Sequence, residues 1–382
     1  MRVLILGARA PVALDHARRF AAQGWTTYVA DSISCRISGS SRSVTATFSL
    51  PRPRVALASF ARELANIISR QGIDVVVPTC EEIFFVSRIR RQLPSQCNVF
   101  VAPFELLGEL HSKWRFLALA KSVGIPVPES IRVSDLAQAR EWAQGRPIVL
   151  KPEYSRFGVH TRIYRNGVAG SPLPELGAWV AQDFVPGREV CSYSIAVAGQ
   201  LRAHVVYSPK YRLGASSSYY FEPLLIAAIE SHVERLVARI GFTGQISFDW
   251  IERTPGEFVA LECNPRAISG LHLFDLNQPL PAVIAGQLSN RVRVDSPTPR
   301  MLGAVMLAAG LPMAVRGGTF AAWYRDWSRA TDVLLAPGDS RPVFGAVRDL
   351  AAFAQLALRQ RCSLRAASTH DIEWDGEPLC EQ

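Results

Sequence analysis

The chain predicts a mixed architecture, α/β at its N terminus and α+β beyond. Three observations lead there. Residues 1–104 alternate short apolar runs with helical periodicities, the pattern of strand–helix units built on a parallel sheet. Residues 146–208 read as a succession of strands separated by turns bearing Gly or Pro. The 382 residues exceed one ordinary core, so two or three domains are expected.

Taken in order, "RVLILGA" is a buried strand and "PVALDHARRFAAQG" a helix stopped by Gly24. "WTTYVAD" is a second strand, "ASFARELANIISRQG" a helix stopped by Gly72, and "IDVVVPT" a third strand. The first turn, "GARAP", lacks the GxGxxG spacing that lets a pyrophosphate approach the backbone, so no dinucleotide site is expected there. "HSKWRFLALAKSVGIPVP" is a helix capped by Ser112 and ended by Gly124, and "SDLAQAREWA" a shorter one capped by Ser134. The strands "RPIVLKP", "HTRIYR", "WVAQDFV", "REVCSYSIAVA" and "LRAHVVY" follow, then the amphipathic helix "LLIAAIESHVERLVARIG". Next comes the hairpin "ISFDWIERTPGEFVALECNPR". After about residue 290 two apolar pieces, the helix "VRDLAAFAQLALRQR" and the tail "HDIEWDGEP" complete the chain.

Composition narrows the function classes. At 48% hydrophobic and 20% charged, the chain is that of a soluble globular protein. No run approaches the ~18 apolar residues of a membrane span. "VLILGA" is short and is followed by Asp15, His16, Arg18 and Arg19, which suits a first strand and helix better than a signal peptide. The net charge of +9 comes from scattered arginines with no basic tail or aromatic-interleaved stripe. That argues against nucleic acid and is compatible with anionic ligands such as phosphates. The seven cysteines, at 35, 80, 97, 191, 263, 362 and 380, form no CxxC pair. A reducing cytoplasm without a zinc site is the economical reading.

The hairpin poses a problem, because Asp249, Glu262 and Asn264 interrupt strands that are otherwise apolar. If the turn is centred on Pro255-Gly256, residues whose numbers sum to 511 are opposed, and Asp249 faces Glu262. Asn264, two residues on, shares that face. Without a cation two opposed carboxylates repel and one takes up a proton; with Mg²⁺ they are hard oxygen ligands. The competing reading, two carboxylates on a solvated face, stays open on spacing alone.

"ISFDWIERTPGEFVALECNPRAISG" resembles the metal-binding core of the ATP-grasp superfamily, of the carbamoyl-phosphate-synthase-like, carboxylate–amine ligase type. The resemblance implies that Asp249, Glu262 and Asn264 hold Mg²⁺ (or Mn²⁺) with ATP. Lys113 in "HSKWRF" and Lys151 in "RPIVLKP" match the two ATP lysines, and "EYSRFGVHTR" sits where the family has a small-residue phosphate loop. There Ser155 and Gly158 are the small residues, with bulky Arg156 and Phe157 between them, a departure from the glycine-rich pattern. "VAQDFVPGREV" matches the hinge. Gln182, Asp183, Phe184 and Val185 would hold adenine and Glu189 the ribose hydroxyls, with Asp183 replacing the common Glu. Lys210 would reach the phosphates, and Arg266 would contact the transferred phosphoryl group. Each has a bland alternative: an exposed helix lysine for Lys113, a rim carboxylate for Glu189, and structural roles for His204 and His272. Lys151 ends a buried strand, where an amine needs an anion or a wet pocket.

The resemblance spans about residues 1–290 and implies an α/β pre-domain at 1–104 and a two-lobed ATP-grasp fold with antiparallel sheets at 105–290; residues 291–382, for which it supplies no motif, read as a small C-terminal α+β segment. It implies an ADP-forming ligase that activates a small-molecule carboxylate as an acyl-phosphate for attack by an amine, thiol or other nucleophile. No nucleic acid or membrane is involved, and a homodimer is compatible. The alternatives are a phosphotransferase, a bicarbonate-using carboxylase-like enzyme and a nucleotide-binding module without turnover. Glu81 and Glu82 in "PTCEEIF" are candidates for an amine contact, or else first-turn residues of a helix capped by Thr79. The loop "GASSSYYFEP", 214–223, would close over substrate or lie mobile on the surface.

Overall fold

The structure is a computed structural model that describes residues 1–33, 37–156, 158, 160–214, 217–294 and 298–379. Its first part is a parallel sheet in the order β3-β2-β1-β4-β5, formed by β1 (Arg2–Leu6), β2 (Thr26–Asp31), β3 (Ala46–Ser49), β4 (Val75–Val77) and β5 (Asn98–Val99). The expected strands lie in its centre, because continuous apolar runs suit strands covered on both faces. The two edge strands escaped the sequence reading: β5 has two residues, and β3 is only half-buried. Helices α1 (Pro11–Ala22) and α2 (Leu57–Gln71) connect the strands, and α2 ends on Gly72 at φ 58°, as its glycine predicts.

Helix α3 (Ile83–Arg88) follows β4, and α4 (Phe104–His111) and α5 (Lys113–Ser122) lead out of this unit. Ser112 caps α5, its Oγ accepting from the N–H of Arg115. At α3 the expectation is corrected. Thr79 is no helix cap, since its hydroxyl donates to Leu6 O, while the Glu82 carboxylate accepts the N–H groups of Thr79 and Cys80.

A four-stranded antiparallel sheet, β6-β9-β7-β8, comes next, with β6 (Ser130–Val133), β7 (Ile148–Pro152), β8 (Arg162–Tyr164) and β9 (Trp179–Asp183). Helix α6 (Leu136–Ala143) packs on it, capped by Asp135 rather than the expected Ser134. The Asp135 carboxylate accepts from Gln138 N–H, and Gln138 reaches back to Ser134 N–H, a reciprocal cap that leaves Ser134 one position outside.

The largest sheet runs β14-β13-β10-β11-β12-β15-β16. It comprises β10 (Arg188–Val197), β11 (Gln200–Leu213), β12 (Ser217–Leu224), β13 (Gly244–Thr254), β14 (Glu257–Asn264), β15 (Arg300–Met301) and β16 (Thr331–Asp332). Helix α7 (Ala227–Arg239) crosses from β12 to β13. The segment read as a closing loop, 214–223, is mostly β12, with Tyr219, Tyr220 and Phe221 buried; Ala215 and Ser216 lie outside the described residues. The polar serines masked a strand whose apolar residues pack against the C-terminal helices. Among those, α11 (Phe320–Arg329) and α12 (Arg341–Gln360) are the longest, and α13 (Leu364–Thr369) precedes the tail; α8 (Leu280–Ile284), α9 (Gly303–Val305) and α10 (Leu311–Arg316) come before them. No helix among the described residues is long and apolar enough to cross a membrane.

The parallel and seven-stranded sheets are joined by buried polar bonds rather than by apolar packing alone. The charges of α1 that argued against a signal peptide do this. Arg19 pairs with Asp15 at 2.5 Å and donates to the carbonyls of Leu271, Phe274 and Asp275. Asp15 also bonds His272 Nδ1 at 2.7 Å, and His16 bonds Gln245, whose amide donates to Pro78 O. His204 bonds Ser194.

Gly187, between β9 and β10, has φ 153°, and a Cβ there would lie 2.2 Å from Glu252 O and 2.5 Å from Ile251 Cγ2. Gly187→Ala is therefore expected to destabilise the protein by about 1–3 kcal/mol, the usual cost of overpacking. Chemical denaturation tests this, and an unchanged midpoint would refute the close approach.

Candidate functional site

The β13–β14 hairpin turns at Pro255-Gly256, where Gly256 takes the positive φ of 84° that such a turn requires. Thr254 faces Glu257. The ladder then slips by one residue, with Arg253 as the extra residue on β13, and slips back where Leu261 is the extra residue on β14. The two bulges cancel. Asp249 consequently faces Glu262, and Ser247 faces Asn264, the register that the turn position predicts.

The second bulge has a chemical use. Lys151, at the end of β7, donates to Leu261 O at 3.4 Å, and Lys113, the first residue of α5, lies 3.5 Å from Glu262 Oε2. Lys113 also donates to Ser155 O at 2.5 Å. Two lysines from different elements thus converge on the carboxylate pair, and both are buried.

Charge balance follows from these contacts. Burial pushes the Asp249 carboxyl up, and the neighbouring Glu262 pushes it further. Burial would raise Glu262 too, but Lys113 and Lys151 overcome it and keep Glu262 ionised. The Cys191 thiol donates to Asp249 Oδ1 at 3.2 Å. Burial, reinforced by Lys113, brings Lys151 down to about 8, with Glu262 and Asp249 opposing the fall. Two facing carboxylates are hard oxygen donors of the kind that suits a divalent cation, and the amide oxygen of Asn264, two residues beyond Glu262 on the same strand, is a donor of the same kind.

A cavity of about 380 Å³ includes Phe184, Val185, Glu189, Arg212 and Ile251 among its lining residues. Glu189 is ion-paired with Arg212. Gln182, buried with its Nε2 unpartnered, and Asp183, paired with Arg146, lie on β9 just before the cavity. The N–H groups of Asp183 and Phe184 already donate to Glu129 O and Pro147 O. Lys210 goes elsewhere, to Asp326 and Glu222 at 3.1 Å each. Arg266 donates from Nε to Glu81 Oε1 at 2.8 Å. Gly158 has φ 63°, and Phe157 lies outside the described residues.

Several participants were invisible in the sequence. Arg212 and Cys191 reach the site from neighbouring strands, and the ion pairs of Arg156 with distant carboxylates leave no local spacing to read. Glu81 was singled out for an amine, but it lies between Arg266 and Arg156, whose Nε is 3.5 Å from Glu81 Oε2. Burial would raise the Glu81 carboxyl, yet these arginines hold it down at about 2.

In ¹⁵N-lysine-labelled protein, the Nζ of Lys151 is expected to titrate near pH 8 rather than 10.5. Glu262→Gln should lower that midpoint further, since Glu262 supports the ammonium form. An unmoved midpoint in the variant would disprove the coupling.

No family model matches the chain, and no curated protein matches it in sequence. Solved structures do match in fold. N5-carboxyaminoimidazole synthetase from Staphylococcus aureus superimposes with a TM-score of 0.62 at 14% identity, over 83% of this chain and 85% of that one. L-amino acid ligase from Bacillus licheniformis gives 0.59 at 12% identity, over 79% of each chain. The biotin carboxylase domain dimer of 2-oxoglutarate carboxylase from Hydrogenobacter thermophilus, crystallised with MgADP, ADP and bicarbonate, gives 0.59 at 15% identity, over 76% of this chain and 70% of that one. With its parallel N-terminal sheet and two mainly antiparallel sheets, the chain has the ATP-grasp fold.

Proposed function

We propose that the protein is an ATP-dependent, ADP-forming ligase that activates a small-molecule carboxylate as an acyl-phosphate for attack by an amine or other nucleophile. The observation that carries this is the facing pair Asp249 and Glu262 with Lys113 and Lys151 converging on Glu262. In this reading residues 1–104 form the pre-domain, 105–290 the ATP-binding body and 291–382 a C-terminal segment.

Asp249, Glu262 and Asn264 would hold Mg²⁺, which supplies positive charge against the phosphates when bound. The chain's own residues do the rest. Lys113 and Lys151 neutralise phosphate oxygens, and such prearranged charges act by electrostatic stabilisation and positioning. Phe184 and Val185 border adenine, with Gln182 and Asp183 on the preceding strand. Glu189 receives the ribose hydroxyls after exchanging its pairing with Arg212. Ser155 and Gly158 line the phosphates. Arg266, steered by Glu81, faces the group transferred. Lys210 serves the phosphates in this assignment by leaving Asp326 and Glu222. The reaction is placed in the cytoplasm.

A second reading takes bicarbonate as the carboxylate, favoured by the fold likeness to a carboxylase domain crystallised with that anion. Both readings share the site and differ in the acceptor.

A screen of amino acids and amines, with and without bicarbonate, should find a pair that drives release of ADP and phosphate. Glu262→Ala is expected to lower turnover by about 10²–10³-fold; because it also removes the anion beside the buried Lys113 and Lys151, a thermal melt of the variant checks that the fold persists. Full activity in that variant would overturn the metal assignment, and AMP as product would overturn the ligase reading.

A further inference from the structure

The tail "DIEWDGE", residues 371–377, runs across the carboxyl edge of the parallel sheet. Asp371 pairs with Arg9 just after β1 at 2.7 Å and bonds Ser32 just after β2. Its residues then alternate. Ile372 and Trp374 are buried, and the carboxylates of Glu373, Asp375 and Glu377 turn to arginines. Arg54 receives all three, and Arg156 receives Glu373 at 3.0 Å and Asp375 at 2.9 Å. Arg156 also donates to Trp374 O at 2.9 Å.

The tail is fitted to its groove. The Trp374 ring packs against Phe84, Phe104, His111 and Tyr154. A Cβ on Gly108 would come 3.2 Å from that ring, and one on Gly376, at φ 88°, would come 2.5 Å from the Tyr154 ring. A buried tryptophan and two glycine-dependent approaches describe a fixed strap rather than a plug that leaves easily.

Arg156 joins this strap to the phosphate loop. It is 7% exposed, and it follows Ser155, whose carbonyl receives Lys113. The bulky residue that departs from the glycine-rich pattern therefore points into the C-terminal strap. We propose that the acidic strap 371–377 is a positioning element for nucleotide: through Arg156 it holds residues 153–156 of the loop in place beside the phosphates. This deepens the ATP reading above and rests on it. A loop clamped in advance has less ordering to do on binding, which compensates for its lack of flexible glycines.

The test uses the full-length protein and the substitutions Glu373→Gln with Asp375→Asn, Arg156→Gln and Arg156→Lys. Hydrogen exchange reads the amides of residues 153–156, and calorimetry reads MgADP binding at two salt concentrations. In the acid double variant and Arg156→Gln, loop exchange is expected to accelerate about tenfold or more and MgADP to bind about tenfold more weakly, with less salt dependence than wild type. Arg156→Lys, which keeps the charge but not the fork, should recover part of both. Loop exchange as slow as wild type in both disruptive variants overturns the proposal. So does faster exchange with unchanged or tighter MgADP binding, which would make the strap a brake. If wild type itself fails to bind MgADP, the nucleotide reading falls, while the exchange arm still decides whether the strap holds the loop.

Discussion

Glu81 is where three separately built parts of the molecule meet. It lies at the end of the parallel sheet and accepts Arg266 from beyond the last hairpin strand, with Arg156 of the loop after β7 close by. A buried carboxylate is tolerable only while such partners are present, and losing one strands a charge in a poor dielectric. The position of the hairpin relative to the loop is therefore tied to this ionised group as well as to Lys113, which reaches both Glu262 and Ser155 O. The Asp15–Arg19–His272 and His16–Gln245 bonds hold the same two sheets together further from the site.

The site itself balances charge among few groups. Two lysines face two carboxylates, and burial makes each charge depend on its opposite. Asp249 is pushed up beside the Cys191 thiol, while Glu262 is held down by the two amines. Polar residues in these otherwise apolar strands thus have partners from four elements, β7, β10, α5 and the hairpin.

Legibility in the sequence followed physical range. Central strands such as Val75–Val77 were readable because both faces are covered and every residue is apolar. The edge strand Ala46–Ser49 alternates with solvent and gave too short a signal. Ser112 was recognisable as a cap, whereas at Ser134-Asp135 two capping residues stand in series and the geometry chose the second. The Asp249–Glu262 pairing was within reach because a Pro-Gly turn lies only a few residues away. The clamp on Arg156 was not, since its acids lie more than two hundred residues later and share no periodicity with it.

Along a strand, side-chain direction behaves like a reading frame of two, and an odd insertion flips every later residue to the opposite face. Arg253 and Leu261 are such insertions on opposite strands, and together they restore the frame just before the functional acids. Among the described residues one of them is anchored from outside, because the Leu261 carbonyl is engaged by Lys151. The length of the hairpin tip is thereby bound to a lysine more than a hundred residues earlier. A tip that gains or loses one residue cannot slide the correction elsewhere without giving up that contact.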